Sequence, residues 1–301
     1  MNRIKNFMKD NRKVLLLAVF MLVFVTACTS VRNSDGTIDK AMLITFDTNY
    51  LDCIKDGWFN VFVWPVAQLI NFVAQYSDAG IGIIVATLLL NFGTAALSLK
   101  QQVASQKMQL LQPELQRIQG KYAGKTDQAS RMKQAQEMQN LYSKHKISPF
   151  GSMLTMFIQL PIIFAVYQAV MRAESVYKGE FLGTSLFNTP MEAINAQQWM
   201  AIGIFLLMIV AQFASMKLPQ IMQKRMKENS KVKTKDYANP NANKGSGMMG
   251  GMNTMMYMML GMTILFAINW PLGMSFYWLV SALTRIIQNV VIQKFFIKNE
   301  F

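Results

Sequence analysis

Residues 150–170 read FGSMLTMFIQLPIIFAVYQAV, an uncharged stretch long enough to cross a bilayer as an α-helix. Gln159 and Pro161 lie near its centre, and both disfavour a helix that faces lipid. The amide of Gln159 needs a hydrogen-bond partner, and Pro161 removes a backbone donor. A span packed against protein, or lining a wet cavity, tolerates both residues. This stretch therefore predicts a span inside a helical bundle.

Four similar apolar stretches indicate that the whole chain belongs in a membrane. The chain has 301 residues, of which 52% are hydrophobic and 15% are charged, a composition too apolar for an ordinary soluble domain. Each stretch is close to the length that a spanning helix needs. The predicted spans are residues 79–99, 150–171, 199–216, 252–270 and 272–293. We therefore expect an all-α polytopic membrane protein with five transmembrane helices.

The distribution of charge predicts which loops face the cytoplasm. Residues 100–149 carry nine Lys or Arg against three Asp or Glu, and residues 217–247 carry eight against two. Residues 29–78 and the loop 172–198 are acidic overall. The positive-inside rule then places the amino terminus outside, and the basic loops and the tail in the cytoplasm. We interpret the net charge of +14 as this topology signal; nucleic-acid or ribosome contact is the alternative.

Residues 1–27 resemble the signal peptide of a bacterial lipoprotein. Five Lys or Arg precede the apolar run 14–27, which ends in small residues immediately before Cys28. The run is short for a span, so we favour removal of the leader and lipid attachment at Cys28 over a retained sixth helix. In the extracellular segment 28–57, Cys53 would then be the remaining thiol, for which we expect a structural role.

Residues 58–78 predict an amphipathic helix that lies along the outer membrane surface. The segment is apolar and aromatic, and the rings of Trp58 and Trp64 suit the headgroup level. The alternative is a sixth true span. That alternative would move the first basic loop outside, against the charge distribution.

The first basic loop, residues 100–149, predicts a cytoplasmic helical hairpin. Around the turn Gly124-Lys125-Thr126-Asp127, Thr126 or Asp127 is a candidate helix N-cap. We expect apolar stripes to pack its two helices together, with a docking surface as the alternative. The stripes are Leu111, Leu115, Ile118 and Tyr122, then Met132, Ala135, Met138 and Tyr142. The second basic loop, 217–251, reads as a linker without catalytic residues, and residues 294–301 form a short tail.

Residues for ordinary catalysis are missing from the sequence. His145 is the single histidine, which excludes a His-based metal cluster and a Ser-His-Asp triad. No phosphate-binding Gly-rich loop occurs, and the predicted spans hold no carboxylate pair for proton transfer. We therefore expect no enzyme activity, no metal and no cofactor.

Three polar or amphipathic residues stand out in the spans: Asn91, Gln159 and Trp278. An unpaired amide in hydrocarbon costs several kcal/mol, so Asn91 and Gln159 should face protein or water. Interhelical hydrogen bonds that hold the bundle together are one interpretation. A wet groove is the other, and the residues alone do not decide between them.

Motifs along the chain resemble the YidC/Oxa/Alb family of membrane protein insertases. Residues 87–101, ending in Leu-Lys-Gln, resemble the end of the family's first span, and the hairpin follows in the expected place. Ser-Pro-Phe-Gly at 148–151 and Ile-Gln-Leu-Pro-Ile-Ile-Phe-Ala-Val-Tyr at 158–167 resemble its second span. Trp-Pro-Leu-Gly-Met-Ser-Phe-Tyr-Trp at 270–278 resembles its last hairpin. The lipoprotein-like start resembles the form found in Gram-positive bacteria.

The resemblance implies a five-helix bundle around a hydrophilic groove that is closed outside and open to cytoplasm and lipid. Polar parts of a client protein enter the groove while its apolar segment moves into lipid. On this basis Asn91, Gln159 and Trp278 line the groove, and the hairpin, residues 102–145, receives clients. The implied partners are nascent membrane proteins and membrane lipids, with the Sec translocon and the ribosome as further candidates and no specific nucleic acid.

Asn91 departs from the family pattern, which commonly has an arginine there, and Ala96 replaces a usual proline. Asn can hydrate a groove but cannot attract an acidic client tail by charge, so we expect less acidic clients or a divergent paralogue. The short tail argues against a ribosome-binding extension. A small transporter or channel is the alternative function, although no internal inverted repeat is visible. A purely structural assembly partner is a third.

Overall fold

The computed structural model describes residues 39–125, 127–145, 151–229 and 248–297. The predicted signal peptide and Cys28 lie outside these ranges, as do Thr126, Ser148 and Pro149. Within them the chain is mainly helical. The helices are α1 (Tyr50–Lys55), α2 (Asn60–Tyr76), α3 (Ala79–Leu110), α4 (Gln112–Lys121), α5 (Gln128–Lys144), α6 (Gly151–Arg172), α7 (Glu174–Lys178), α8 (Pro190–Asn195), α9 (Trp199–Asn229), α10 (Met248–Ala267) and α11 (Leu272–Ile292).

Shorter elements complete the described chain. A 3₁₀ turn covers Lys40–Met42, and a π-helical turn, Gln293–Ile297, follows α11. Strands β1 (Glu180–Phe181) and β2 (Thr184–Ser185) pair antiparallel, with Phe181 opposite Thr184. Gly183 supplies the positive φ of 71° that their tight turn requires.

Three of the described helices contain segments long and apolar enough to cross a membrane: Ala79–Ala96, Trp199–Met222 and Leu272–Phe296. They coincide with three of the five predicted spans, so the described chain is an all-α membrane protein. The other two predicted spans, 150–171 and 252–270, fall on α6 and α10. Their crossing of the membrane stays a prediction.

Contacts divide the chain into two compact units. The described part of the first unit comprises residues 39–87, 158–202 and 270–277. Its buried side chains include Ile44, Ile70 and Leu186, and α3 approaches α2 closely at Gly82. A Cβ atom at Gly82 would lie 2.7 Å from the carbonyl oxygen of Ile70, so only glycine fits there without a shift.

The described part of the second unit comprises residues 88–125, 127–145, 151–157, 203–229, 248–269 and 278–297. It contains the predicted hairpin, whose helices α4 and α5 contact each other. The predicted N-cap is confirmed for Asp127, whose carboxylate accepts the backbone N–H of Ser130. Gly124 supplies a positive φ of 84° in the turn between the helices.

The predicted packing of the hairpin is partly wrong. Leu111 and Leu115 are buried, as expected for the first stripe. In α5, however, Met132 is 67% exposed and Leu141 is the buried residue. The reason is that polar contacts also join the helices, since Glu137 of α5 accepts hydrogen bonds from Lys121 and Tyr122. An apolar stripe along the whole of α5 is therefore unnecessary.

Helix α2 covers most of the segment 58–78, for which an amphipathic helix is predicted. Val63, Ala67 and Ile70 are buried within the first unit, whereas Phe62 and Phe72 are exposed. Apolar side chains therefore lie on both the buried and the exposed sides of α2. Its position at the outer membrane surface stays a prediction.

Candidate functional site

Gln159 forms an interhelical hydrogen bond within the first unit. Its Nε2 donates to the hydroxyl oxygen of Tyr277 at 3.0 Å, which joins α6 to α11. Tyr277 is 1% exposed, whereas Gln159 is only half-buried. The amide therefore helps to hold α6 against α11, and part of it stays accessible.

Asn91 forms a similar bond within the second unit. Its Nδ2 donates to Ser281 Oγ at 3.1 Å and joins α3 to α11. Ser281 is buried, whereas Asn91 is half-buried. A primary amide has two N–H donors and an acceptor oxygen, so this bond uses only part of its capacity. The interhelical bond and the hydration of the amide are thus compatible rather than alternatives.

Trp278 is the third predicted groove residue, and it belongs to the second unit. It lies on α11 directly after Tyr277 and is 7% exposed. Its ring is therefore mostly covered by protein. Of the three predicted residues, the structure places Asn91 and Trp278 in one unit and Gln159 in the other.

A row of polar side chains on α3 extends the contact between α3 and α11. Gln106 Nε2 donates to Asn289 Oδ1 at 3.0 Å, and Gln102 Nε2 donates to Ser98 Oγ at 2.7 Å. The row recurs with helical spacing along one side of α3. It comprises Asn91, Thr94, Ser98, Gln102 and Gln106.

The second unit also contains a cation at membrane depth. Arg285 is the single charged residue in the five predicted spans. Its Nη2 donates to Gln212 Oε1 at 3.0 Å, which joins α11 to α9. Gln212 is buried, whereas Arg285 is exposed. The amide of Gln212 thereby helps to orient the guanidinium group.

In the first unit, a buried arginine binds the amino-terminal segment to the end of α6. Arg172 is 8% exposed and donates to Asn60 Oδ1 at 2.7 Å and to the carbonyl oxygen of Met42 at 2.8 Å. Its Nη2 lies 3.9 Å from the sulfur of Cys53. Burial raises the pKa of the Cys53 thiol, and Arg172 opposes that rise. This network is structural, in keeping with the role expected for Cys53.

No group of three or more His, Cys, Asp or Glu side chains that could hold a metal ion occurs among the residues that the structure describes. The polar groups described above are instead amides, hydroxyls, two guanidinium groups and the Cys53 thiol. The amides, hydroxyls and guanidinium groups can hydrogen-bond water, a peptide or an anion.

Comparison with known proteins identifies the family. The sequence profile of the family described as 60Kd inner membrane protein matches residues 71–300. The chain belongs to this family. The match includes all three predicted groove residues and Arg285.

The resemblance to YidC-type insertases is confirmed by relatives of this family member. The chain is 32% identical to membrane protein insertase YidC 2 of Bacillus anthracis, and the match covers 78% of the chain and 81% of the relative. The chain is 30% identical to membrane protein insertase MisCA of Bacillus subtilis, and the match covers 92% of the chain and 88% of the relative. It is 27% identical to membrane protein insertase YidC 1 of Lactococcus lactis, and that match covers 95% of the chain and 87% of the relative.

In this member of the 60Kd inner membrane protein family, the sequence pattern alone did not lead us to Arg285 or to Gln102 and Gln106 of the polar row. A lone charge inside an apolar segment was a sufficient signal for Arg285. The row continues past residue 99, where the first predicted span ends, so a search confined to the spans stops short of Gln102 and Gln106. The partners Ser281, Asn289 and Gln212 carried no comparable signal, because pairing depends on how the helices pack.

Proposed function

We propose that this chain is a membrane protein insertase that inserts integral membrane proteins and helps them to fold and assemble. Membership of the 60Kd inner membrane protein family carries this proposal, together with relatives named membrane protein insertase that match most of the chain. The chain is membrane-embedded, as an insertase must be, and three helices among its described residues suit a bilayer. We propose that the protein acts either alone or together with the Sec translocon.

The proposed mechanism lowers the cost of moving a client's polar tail through the membrane. Burial of the client's apolar segment in lipid supplies the driving force, and the membrane potential assists charged tails. The polar tail would otherwise lose its hydrogen bonds to water. Half-buried amides such as Asn91 and Gln159 replace part of that water, and we propose that both, with Trp278, line the client's path.

The polar row on α3 supports a hydrated path in the second unit. Gln101 of α3 lies outside the row, next to Gln102, and its Oε1 is buried without a hydrogen-bond partner among the described residues. A buried acceptor left unpaired costs about 1–3 kcal/mol, whereas hydration or a client donor removes that cost. The row also continues for two helical turns beyond the predicted span, toward the hairpin helices α4 and α5.

The proposed topology has five spans around a hydrophilic groove, with α2 on the outer surface and the hairpin in the cytoplasm. Lipid attachment at Cys28 anchors the amino terminus outside a bacterial cell membrane, and the carboxyl terminus lies in the cytoplasm. The charge distribution supports this orientation. Nascent membrane proteins and lipids are the proposed partners; the ribosome is a further candidate, and no enzyme activity or cofactor is involved.

The function is tested with a single-spanning client and the protein reconstituted in lipid vesicles. We expect the double variant Asn91→Leu, Gln159→Leu to abolish protease-protected insertion, because two amides are lost from the client's path. A matched control, Leu89→Ala with Phe92→Leu, changes two exposed apolar side chains of α3 and should insert normally.

Folding of the double variant is checked by thermal unfolding in detergent, since loss of the bonds to Tyr277 and Ser281 also removes interhelical contacts. Undiminished insertion by the folded double variant would contradict the role of these amides. Failure of the unmodified protein to insert any of several clients would overturn the insertase function itself.

A further inference from the structure

We propose that Lys217 of α9 and Tyr257 of α10 form a binding site for the phosphate group of an anionic phospholipid. Both residues belong to the second unit. The ligand is a phosphodiester with a net negative charge, such as phosphatidylglycerol, and one bound headgroup contacts two helices. The inference goes beyond the proposed insertase function and does not depend on it.

Two aromatic rings contact the ammonium group of Lys217. Its Nζ lies 5.0 Å from the ring centroid of Tyr257 and 5.9 Å from that of Phe213, which is one helical turn earlier on α9. Both distances suit cation–π contacts. The two aromatic residues are themselves exposed, 49% for Tyr257 and 41% for Phe213, and Lys217 is half-buried. The ammonium is therefore held at a surface that a ligand can reach.

The positive charge of Lys217 has no acidic partner nearby. Among the residues that the structure describes, no carboxylate lies within ion-pair distance of it. Helices α10 and α11 contain no Asp or Glu, and α9 contains one, Glu228. Glu228 follows Lys217 by about 16 Å along the helix. Contacts with neutral rings leave the charge in place, so this position favours an anionic ligand.

The position of Lys217 along α9 favours a lipid headgroup over free phosphate. The apolar segment of α9 ends at Met222, and Lys217 lies about 8 Å before that end. A lysine side chain near the end of a span reaches toward the headgroup layer, where tyrosine rings also concentrate.

The chemistry of the two side chains suits a single phosphate group. The ammonium of Lys217 and the hydroxyl of Tyr257 are both donors, and the oxygen atoms of one phosphate point in different directions and can accept from both. A zwitterionic headgroup would bring a second cation close to Lys217, and the two like charges repel each other. An anionic phospholipid is therefore the ligand that we assign.

The experiment measures the affinity of the full chain in detergent for its first bound lipid by native mass spectrometry, with phosphatidylglycerol and phosphatidylcholine as probes. We expect the unmodified protein to prefer phosphatidylglycerol. Lys217→Gln should weaken phosphatidylglycerol binding about tenfold, the equivalent of one charge-assisted hydrogen bond. Lys217→Arg should keep most of the affinity, because it keeps the charge. Tyr257→Phe keeps the ring and loses the hydroxyl, so it should weaken binding about threefold.

Lys294→Gln is the matched control. Lys294 is exposed and follows α11 in the same unit, but its ring contact, at 5.8 Å, is with its sequence neighbour Phe295. This variant loses a positive charge without changing the contact between α9 and α10, so its affinity for phosphatidylglycerol should be unchanged. An equal loss of affinity in Lys217→Gln and Lys294→Gln would show a general attraction between basic residues and anionic lipid, and would overturn the proposal.

Three further outcomes would overturn the proposal. Equal binding of both lipids by the unmodified protein would contradict the preference for an anionic headgroup. Displacement of phosphatidylglycerol by inorganic phosphate would make the site one for free phosphate. If Lys217→Gln fails to fold, Tyr257→Phe decides, since full affinity in that variant would contradict a phosphate shared by the two residues. Because lipid binding is measured without a client, failure of this inference leaves the insertase function standing.

Discussion

The two units use their polar side chains differently. In the first unit, Asn60, Asn71, Arg172 and Trp64 donate hydrogen bonds to backbone carbonyl oxygens at distances of 2.7 to 2.9 Å. In the second unit, polar side chains on different helices bind one another. These pairs are Asn91 with Ser281, Gln106 with Asn289, and Arg285 with Gln212.

In the first unit these bonds hold the backbone, whereas in the second they hold helices to one another. A bond to a buried backbone carbonyl fixes the course of the chain, and its loss leaves an unpaired group. In each pair of the second unit one partner is buried and the other is half-buried or exposed, so water can reach one side of the bond. Side chains also bind one another in the first unit, since Gln159 donates to the hydroxyl of Tyr277 and Arg172 donates to Asn60 Oδ1.

The largest expected effect on stability comes from the buried arginine of the first unit. We expect Arg172→Met to lower the free energy of unfolding by about 3 kcal/mol, because Asn60 Oδ1 and the carbonyl of Met42 each lose a bond to a charged donor. Thermal unfolding in detergent measures this change. The control Lys178→Met removes an exposed ion pair with Glu174 of the same unit and should have no measurable effect. If Arg172→Met and the unmodified protein were equally stable, the hydrogen bonds of Arg172 would not contribute to the stability of the first unit.

Two glycines of α3 compare the packing of the two units directly. Gly82→Ala should destabilise the protein by about 1–3 kcal/mol, because its Cβ would collide with the backbone of Ile70 in the first unit. Gly93→Ala should be neutral or stabilising by about 0.5–1 kcal/mol, since nothing lies within 4 Å of a Cβ at Gly93 in the second unit. Thermal unfolding of both variants under one condition gives the comparison. Similar changes in stability at the two positions would contradict the difference in packing between Gly82 and Gly93.

The smallest expected effect concerns the pH dependence of the hairpin in the second unit. Hydrogen bonds from Lys121 and Tyr122 lower the pKa of Glu137. The stabilisation from Glu137 is therefore present above its unfolded pKa of about 4.3 and is lost as pH falls through its lower folded value. Hydrogen exchange of α4 and α5, corrected for intrinsic rates, should accelerate from pH 6 to pH 3.

Glu137→Gln should reduce that acceleration without abolishing it. Asp127 contributes the remainder, because the N–H of Ser130 lowers the pKa of this capping carboxylate. An unchanged acceleration in Glu137→Gln would show that the contact with Lys121 and Tyr122 does not stabilise the hairpin in solution.

Much of the fold followed from local patterns. The spans at 79–99, 199–216 and 272–293 follow from length and apolarity, and Asp127 follows from the chemistry of helix caps. The apolar stripe proposed for α5 was wrong at Met132, since helical spacing cannot show that polar contacts to Glu137 help to hold the hairpin. In the candidate site, the amides Asn91 and Gln159 could be found from sequence because polar groups are rare in apolar segments.

The sequence by itself determined the membrane character, the family and the residues with unusual chemistry, because composition, order and motif spacing are properties of the chain. Only the tertiary structure decided which groups meet: Asn91 with Ser281, Gln159 with Tyr277, Arg285 with Gln212, and Arg172 with the backbone of Met42. These pairs join residues between 73 and 190 positions apart in the sequence. No local pattern encodes such partners, since they depend on how helices pack around one another.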